Sequence, residues 1–271
     1  MPLVPQSVRP GESWKAPIMG KEGAGFDYTS WGYPGEVARN ITPDLETGVG
    51  TWTDDMLARV IREGVGHDGH LIDPSAMPYE FVRALTDEDL ASIIVYIRSI
   101  PTIRNALPRH RKPDSLVTPF AIPITAPIPP PDFSSPVKRG MYLAQIAGCQ
   151  WCHTLRDEHR QPLPGLEFGG GDLIIDSYDQ ASSANLTPDP SGINYYDEAQ
   201  FLKTIRTGRV GARRISPIMP WWNFNHMTDD DLKAIFAYLR TLEPVRHEVD
   251  NTEPVAYCRV CRRKHAGGAL N

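Results

Sequence analysis

Cys149-Gln150-Trp151-Cys152-His153 is the stretch on which the reading of this chain turns, and it has the form Cys-x-x-Cys-His. Two thiols three positions apart at the end of a helix can each add across one vinyl group of a porphyrin. The histidine that follows then lies beneath the iron with its imidazole free to ligate. The pentapeptide is thus the attachment signature of one haem c, bound covalently through Cys149 and Cys152 with His153 on the iron. The competing reading is a chance Cys-x-x-Cys before a stray histidine, as a disulfide or half a zinc site, with only a partial set of zinc ligands nearby.

The chain has 271 residues, room for one large core or, as the better expectation, two ordinary ones. Its 41% hydrophobic and 23% charged residues exclude the disordered and fibrous classes. A net charge of -5 gives no reason to expect nucleic acid as a partner. No window approaches the roughly 18 uninterrupted apolar residues of a membrane helix, so no membrane span is expected. The opening MPLVPQSVRP lacks the basic and apolar regions of a secretory signal. Haem attachment of this kind takes place outside the bacterial cytoplasm. The expectation is therefore a periplasmic protein whose written start is a mature start, a fragment or a mis-assigned start codon.

Working outward from the pentapeptide, the chain repeats itself. NITPD at 40–44 faces NLTPD at 185–189 at an offset of 145. ARVIREGVG at 58–66 faces LKTIRTGRV at 202–210 at 144, and MPYEFVRALTDEDL at 77–90 faces MPWWNFNHMTDDDL at 219–232 at 142. Each copy then has the same plan. After the Asn-x-Thr-Pro-Asp turn comes an amphipathic helix, predicted over Asp54–Glu63 and Asp197–Thr207, ending at a glycine suited to a helix C-terminus. A Met-Pro loop follows. Thr86 or Thr228 then caps a last helix whose first turn is acidic, favouring the helix dipole. Between the copies, residues 104–138 carry nine prolines from Pro108 to Pro136, a density that forbids helix and most sheet. Lys138 to Gly148 is predicted to be the helix leading into the pentapeptide.

An iron held through His153 needs a sixth ligand if it is to transfer electrons, and methionine is the thioether that raises the potential. Met219, in the Met-Pro loop 66 residues after His153, is the candidate. Met227 competes, but it matches Leu85 of the first copy and so reads as packing. Met219 matches Met77, in the same Met-Pro setting.

These features resemble the class I c-type cytochrome family, and more closely the tandem-domain, dihaem-type cytochromes that serve as electron-transfer subunits of periplasmic dehydrogenases. The resemblance rests on GMYLAQIAGCQWCHT, NLTPDPSGI, IMPWWNF and MTDDDLKAIFAYLRTL of the second copy and covers nearly all of residues 137–246. It implies haem c on Cys149 and Cys152, with His153 and Met219 as axial ligands of the iron. Tyr195, Arg206 and Trp221 are expected to line the ring or meet its propionates, with packing an equally good account of the aromatics. The expected fold is all-α: two cytochrome c-like helical domains joined by a proline-rich linker, the first N-terminally truncated. The division is 1–104 without a haem motif, 105–136 linker, 137–246 with one covalent haem, and 247–271 a basic Cys-containing tail. The resemblance also implies redox protein partners, a dehydrogenase on one side and an oxidase or quinone-linked complex on the other.

The first copy departs from the pattern where the pentapeptide should recur. The corresponding residues, Val4-Pro5-Gln6-Ser7-Val8, hold neither cysteine nor histidine. The expectation is a lost first site or a missing N-terminal segment. His67 and His70 lie near Met77, and solvated loop histidines are their expected role. In the tail, Cys258-Arg259-Val260-Cys261 is followed by Arg262 where a haem motif would need His. With His265 it supplies part of a zinc site, incomplete at three ligands, and a disulfide between Cys258 and Cys261 is preferred. The chain then reads as an electron carrier without acid or base catalysis of its own. The alternatives are a haem enzyme subunit with an open iron site, if Met219 does not ligate, and a docking module whose first domain binds a partner subunit.

Overall fold

The computed structural model describes residues 20–31, 35, 37–74, 77–109, 122–158, 161–175, 180–216, 218–251 and 256–265. Val4–Val8, the first-copy counterpart of the pentapeptide, and residues 110–121 of the proline-rich stretch lie outside them. The chain divides into two compact units, 1–130 and 131–271, so the boundary falls within that stretch.

In the first unit, β1 (Phe26–Asp27) pairs antiparallel with β2 (Val37–Ala38), and three helices follow: α1 (Asp54–Glu63), α2 (Tyr79–Val82) and α3 (Asp87–Ser99). Each long helix begins where a threonine takes up a free backbone N–H. The Thr53 hydroxyl accepts from Met56 and that of Thr86 from Asp89. The α1 helix stops at Gly64, whose φ of 66° is the left-handed conformation that glycine adopts without Cβ strain. Val49, Leu57, Leu90, Ile94 and Ile97 form the core, with Trp52 against it. The apolar period of α1 and α3 is what brings these residues to one face.

The second unit opens with α4 (Pro136–Ile146), capped by Ser135, and α5 (Cys149–His153). β3 (Leu173–Ile175) and β4 (Gln180–Ser182) form an antiparallel ribbon, followed by α6 (Glu198–Thr207). A second ribbon, β5 (Arg209–Val210) with β6 (Arg213–Arg214), precedes α7 (Trp221–Phe224) and α8 (Asp229–Leu239). The last ribbon joins β7 (Ala256–Tyr257) to β8 (Lys264–His265). The described residues thus combine helices with four short two-stranded ribbons. The core is Phe168, Ile193, Phe201, Ile205, Leu232, Ile235, Phe236 and Leu239, drawn mainly from α6 and α8. The α4 helix crosses α8 at Gly140, where a Cβ would run into the Ala234 carbonyl. Arg139 closes the crossing with hydrogen bonds of 2.8 and 2.5 Å to Asp231.

The repeat read in the sequence returns as repeated hydrogen bonds. Thr42 and Thr187 each donate a hydroxyl to the side chain of the Asn two positions earlier, at 2.8 Å to Asn40 and 2.7 Å to Asn185. The amide of that Asn reaches a distant carbonyl in both units, from Asn40 to Ile103 at 2.8 Å and from Asn185 to Val245 at 2.7 Å. The Met-Pro turns match as well: Tyr79 N–H donates to the Met77 carbonyl and Trp221 N–H to the Met219 carbonyl, both at 2.7 Å. One difference lies on the last helix. Ile235 is 5% exposed and Ile93, its counterpart on α3, is 36% exposed. No helix among the described residues is long and apolar enough to cross a membrane.

Candidate cofactor site

The second unit holds a cavity of about 420 Å3 whose wall includes Cys149, Cys152, His153 and Met219. That volume is within the range of roughly 300–1,000 Å3 typical of small-molecule and cofactor pockets. The two cysteines and the histidine are positioned by α5. This one and a half turns of helix starts at Gly148, where a φ of 72° turns the chain out of α4. Met219 joins the same wall from the turn before α7. Ile205, Ile235, Leu239 and Phe224 supply an apolar lining between them.

His153 is held from both ends. Its Nδ1–H donates to the Ala184 carbonyl at 2.7 Å, and its own carbonyl accepts from Gly170 N–H at 2.8 Å. With Nδ1 committed, Nε2 carries the lone pair, the arrangement a metal-ligating imidazole requires. Burial lowers the His153 pKa below its ordinary value and favours the neutral ring. Burial also pushes the Cys149 thiol up to about 12 and the Cys152 thiol up to about 11. Two thiols three positions apart beside an apolar cavity suit thioether links to the two vinyl groups of one porphyrin. The donor set of two thiols, an imidazole and a thioether around one apolar cavity therefore fits a covalently bound haem.

Of the other residues singled out in the sequence, Tyr195 lines the cavity and is 65% exposed, which puts its rim at the surface. Arg206 and Trp221 do not line it. Arg206 instead ties the end of α6 to the start of α8, donating to Asp229 at 2.5 Å and to the Asn225 carbonyl. Trp221 packs beneath Gly208, the αL cap of α6, where a Cβ would run into the indole. Tyr79 does the same beneath Gly64 in the first unit, so the aromatic at this position belongs to the fold. Met227 also reaches the cavity wall and packs against the core. The arginine that does line the cavity is Arg213, on β6. Sequence reasoning missed it because it lies on the return strand of a hairpin, between the repeated blocks at 202–210 and 219–232 and outside both. In the first unit, His67 stacks on Trp52 with centroids 4.5 Å apart, and His70 Nδ1 pairs with Asp68; both histidines are exposed.

The chain is similar to cytochrome subunits of dehydrogenases. It is 29% identical over 247 residues to the fructose dehydrogenase cytochrome subunit of Gluconobacter japonicus, covering 84% of this chain and 47% of that protein. The gluconate 2-dehydrogenase cytochrome c subunit of Pantoea cypripedii is 29% identical over 221 residues, 75% of this chain and 50% of that protein. A diheme cytochrome c-type protein of Cereibacter sphaeroides is 26% identical over 230 residues, 77% of this chain and 72% of that protein. The chain spans about half the length of the two dehydrogenase subunits. No protein-family model matches it.

Cys258 and Cys261, the expected disulfide pair, lie with His265 beside a fourth residue, His247.

Proposed function

We propose that this chain is a c-type cytochrome that carries electrons from a dehydrogenase to a downstream acceptor through a single covalently bound haem. The observation that carries the reading is the convergence of Cys149, Cys152, His153 and Met219 on one cavity. Cys149 and Cys152 would hold the ring by thioether bonds, and His153 Nε2 and the Met219 thioether would ligate its iron. A haem held there supplies one-electron chemistry between ferric and ferrous iron. The protein's own part is to raise the potential through the thioether ligand, exclude water with the apolar lining and keep His153 in one tautomer through Ala184. The rim at Tyr195 is where a partner would approach the ring closely enough for electron transfer.

The similarity to dehydrogenase cytochrome subunits supports a dehydrogenase as the donor and the periplasm as the compartment; the acceptor in this reading is an oxidase or quinone-linked complex. The count of one haem rests on the single Cys-x-x-Cys-His in the sequence. A pyridine haemochrome assay on chain matured in a haem c-attaching host gives haem per chain, and a redox titration with absorbance gives ligation and potential. One haem per chain with the methionine-to-iron absorption band of the oxidised form is expected. A five-coordinate spectrum that binds added small ligands would sink this reading in favour of an open iron site.

A further inference from the structure

The C-terminal tail gathers a second set of ligands. His247, Cys258, Cys261 and His265 each offer one donor atom, and these four atoms all lie within 4.8 Å of one another. A tetrahedral shell with Zn–S of about 2.3 Å and Zn–N of about 2.0–2.1 Å places its donors roughly 3.3–3.8 Å apart, a short adjustment from this arrangement. His247 is 0% exposed, Cys261 6% and His265 7%. Both imidazoles keep a buried Nε2 that has no hydrogen-bond partner. A buried, unpaired ring nitrogen costs stability unless something binds it, and here two such rings share a cluster with two cysteines.

The repeat isolates what the His247 ring adds. Its first-unit counterpart is Asn105. The Asn105 side chain donates to the Ala24 carbonyl at 2.8 Å, and His247 Nδ1–H donates to the corresponding Gly169 carbonyl at 2.9 Å. Both backbones are held the same way too, by Thr47 Oγ1 at 2.9 Å and Ser191 Oγ at 3.0 Å. An asparagine therefore makes both of these hydrogen bonds at the corresponding position. What the histidine contributes beyond it is a buried Nε2 without a hydrogen-bond partner, with Nδ1 already carrying the proton that fixes the ligating tautomer. The two cysteines are presented by the turn of the β7–β8 ribbon, closed by Cys258 N–H to the Arg263 carbonyl at 2.8 Å and Arg262 N–H to the Cys258 carbonyl at 3.0 Å. The His247 and His265 rings meet edge to face at 5.0 Å, so the two imidazoles are neighbours in the cluster.

We propose that His247, Cys258, Cys261 and His265 form a structural Cys2His2 zinc site. With four protein ligands the shell is closed, so the site holds structure and performs no hydrolysis. Binding displaces the two thiol protons to solvent, leaving two thiolates and two neutral imidazoles around Zn2+, and no electron is transferred. The ion would pin the tail to the 168–171 loop through the bond from His247 to Gly169, next to the Gly170 N–H that holds His153.

The test is metal analysis of the haem-loaded full chain, with zinc and iron measured separately and the haem iron subtracted. Wild type is expected to carry about one zinc per chain after dialysis against a weak chelator, with two sulfur and two nitrogen neighbours at the zinc X-ray absorption edge. His247→Asn keeps the hydrogen bond that Asn105 makes and removes only the ligand; zinc should fall at least about tenfold while haem content is retained. Cys258→Ser should lose zinc likewise. The proposal is overturned by wild type lacking zinc with a Cys258–Cys261 disulfide in the intact mass, by non-haem iron in the site, or by full zinc in His247→Asn. None of these outcomes depends on the haem ligands assigned above.

Discussion

The Nδ1–H of His153 donates to the Ala184 carbonyl at 2.7 Å, so Nε2 is the only nitrogen of that ring left to the cavity. His153→Ala removes that nitrogen. Stable haem incorporation is expected to fall by at least about tenfold, the scale on which even the outer partners of metal ligands act. The ratio of haem absorbance to protein absorbance reads it directly. Normal incorporation with an unchanged spectrum would reassign the proximal ligand.

Met219 and Met227 both reach the cavity wall, and they separate by spectrum and potential. Met219→Ala should leave the haem attached and lower the reduction potential on the order of 0.1 V, within the roughly 0.8 V that axial ligands span. Met227→Leu, a volume-conserving change, should leave the potential unaltered. A drop with Met227→Leu alone would exchange their roles.

At the crossing of α4 and α8, Gly140 has no room for a side chain against the Ala234 carbonyl. Gly140→Ala is expected to push the helices apart at a cost of about 1–3 kcal/mol. Because α4 leads into α5, haem retention should weaken with it. Denaturant titration followed at the haem band gives both numbers at once.

Gly64 and Gly69 both have positive φ, 66° and 85°, but a Cβ at Gly64 would meet the Tyr79 ring while Gly69 faces open space. Gly69→Ala should cost only the left-handed backbone strain, about 1–2 kcal/mol. Gly64→Ala should cost more, because the ring must also move. Equal destabilisation in urea would mean that Tyr79 yields freely.

Asp189 accepts from the Ser191 hydroxyl and backbone N–H, which holds its carboxyl below the ordinary 3.8. A carboxylate lowered in the folded state stabilises above its unfolded pKa and loses that contribution as pH falls through the folded one. The acid limb of unfolding should therefore steepen below pH 3.8. Asp189→Asn should flatten it, as measured by urea midpoints against pH. An identical acid limb in the variant would remove this turn from the account.

Much of the helical framework was legible because its signals are local. Thr53, Thr86 and Thr228 are caps that bond to residues three positions on, and Gly64 and Gly208 end helices through their own φ. The short ribbons were not legible, since two or three residues per strand carry no period to read. Arg206, expected from the resemblance to line the ring or meet its propionates, recurs in the first copy as Arg62. Both recur for the same structural reason: each binds an aspartate at the start of the last helix, at 2.6 Å for Arg62 and 2.5 Å for Arg206.

By itself the sequence determined the haem signature at Cys149 to His153, the duplication and the pairing of Met219 with Met77, because each is written in neighbouring residues or in a repeat of them. Only the tertiary structure decided what shares a site with what. It set the Ala184 carbonyl behind His153, placed Arg213 rather than Arg206 on the cavity wall, and brought His247 to Cys258, Cys261 and His265. Those are contacts between distant segments, the last of them made where the tail folds back along the 185–191 turn, and no spacing along the chain encodes them.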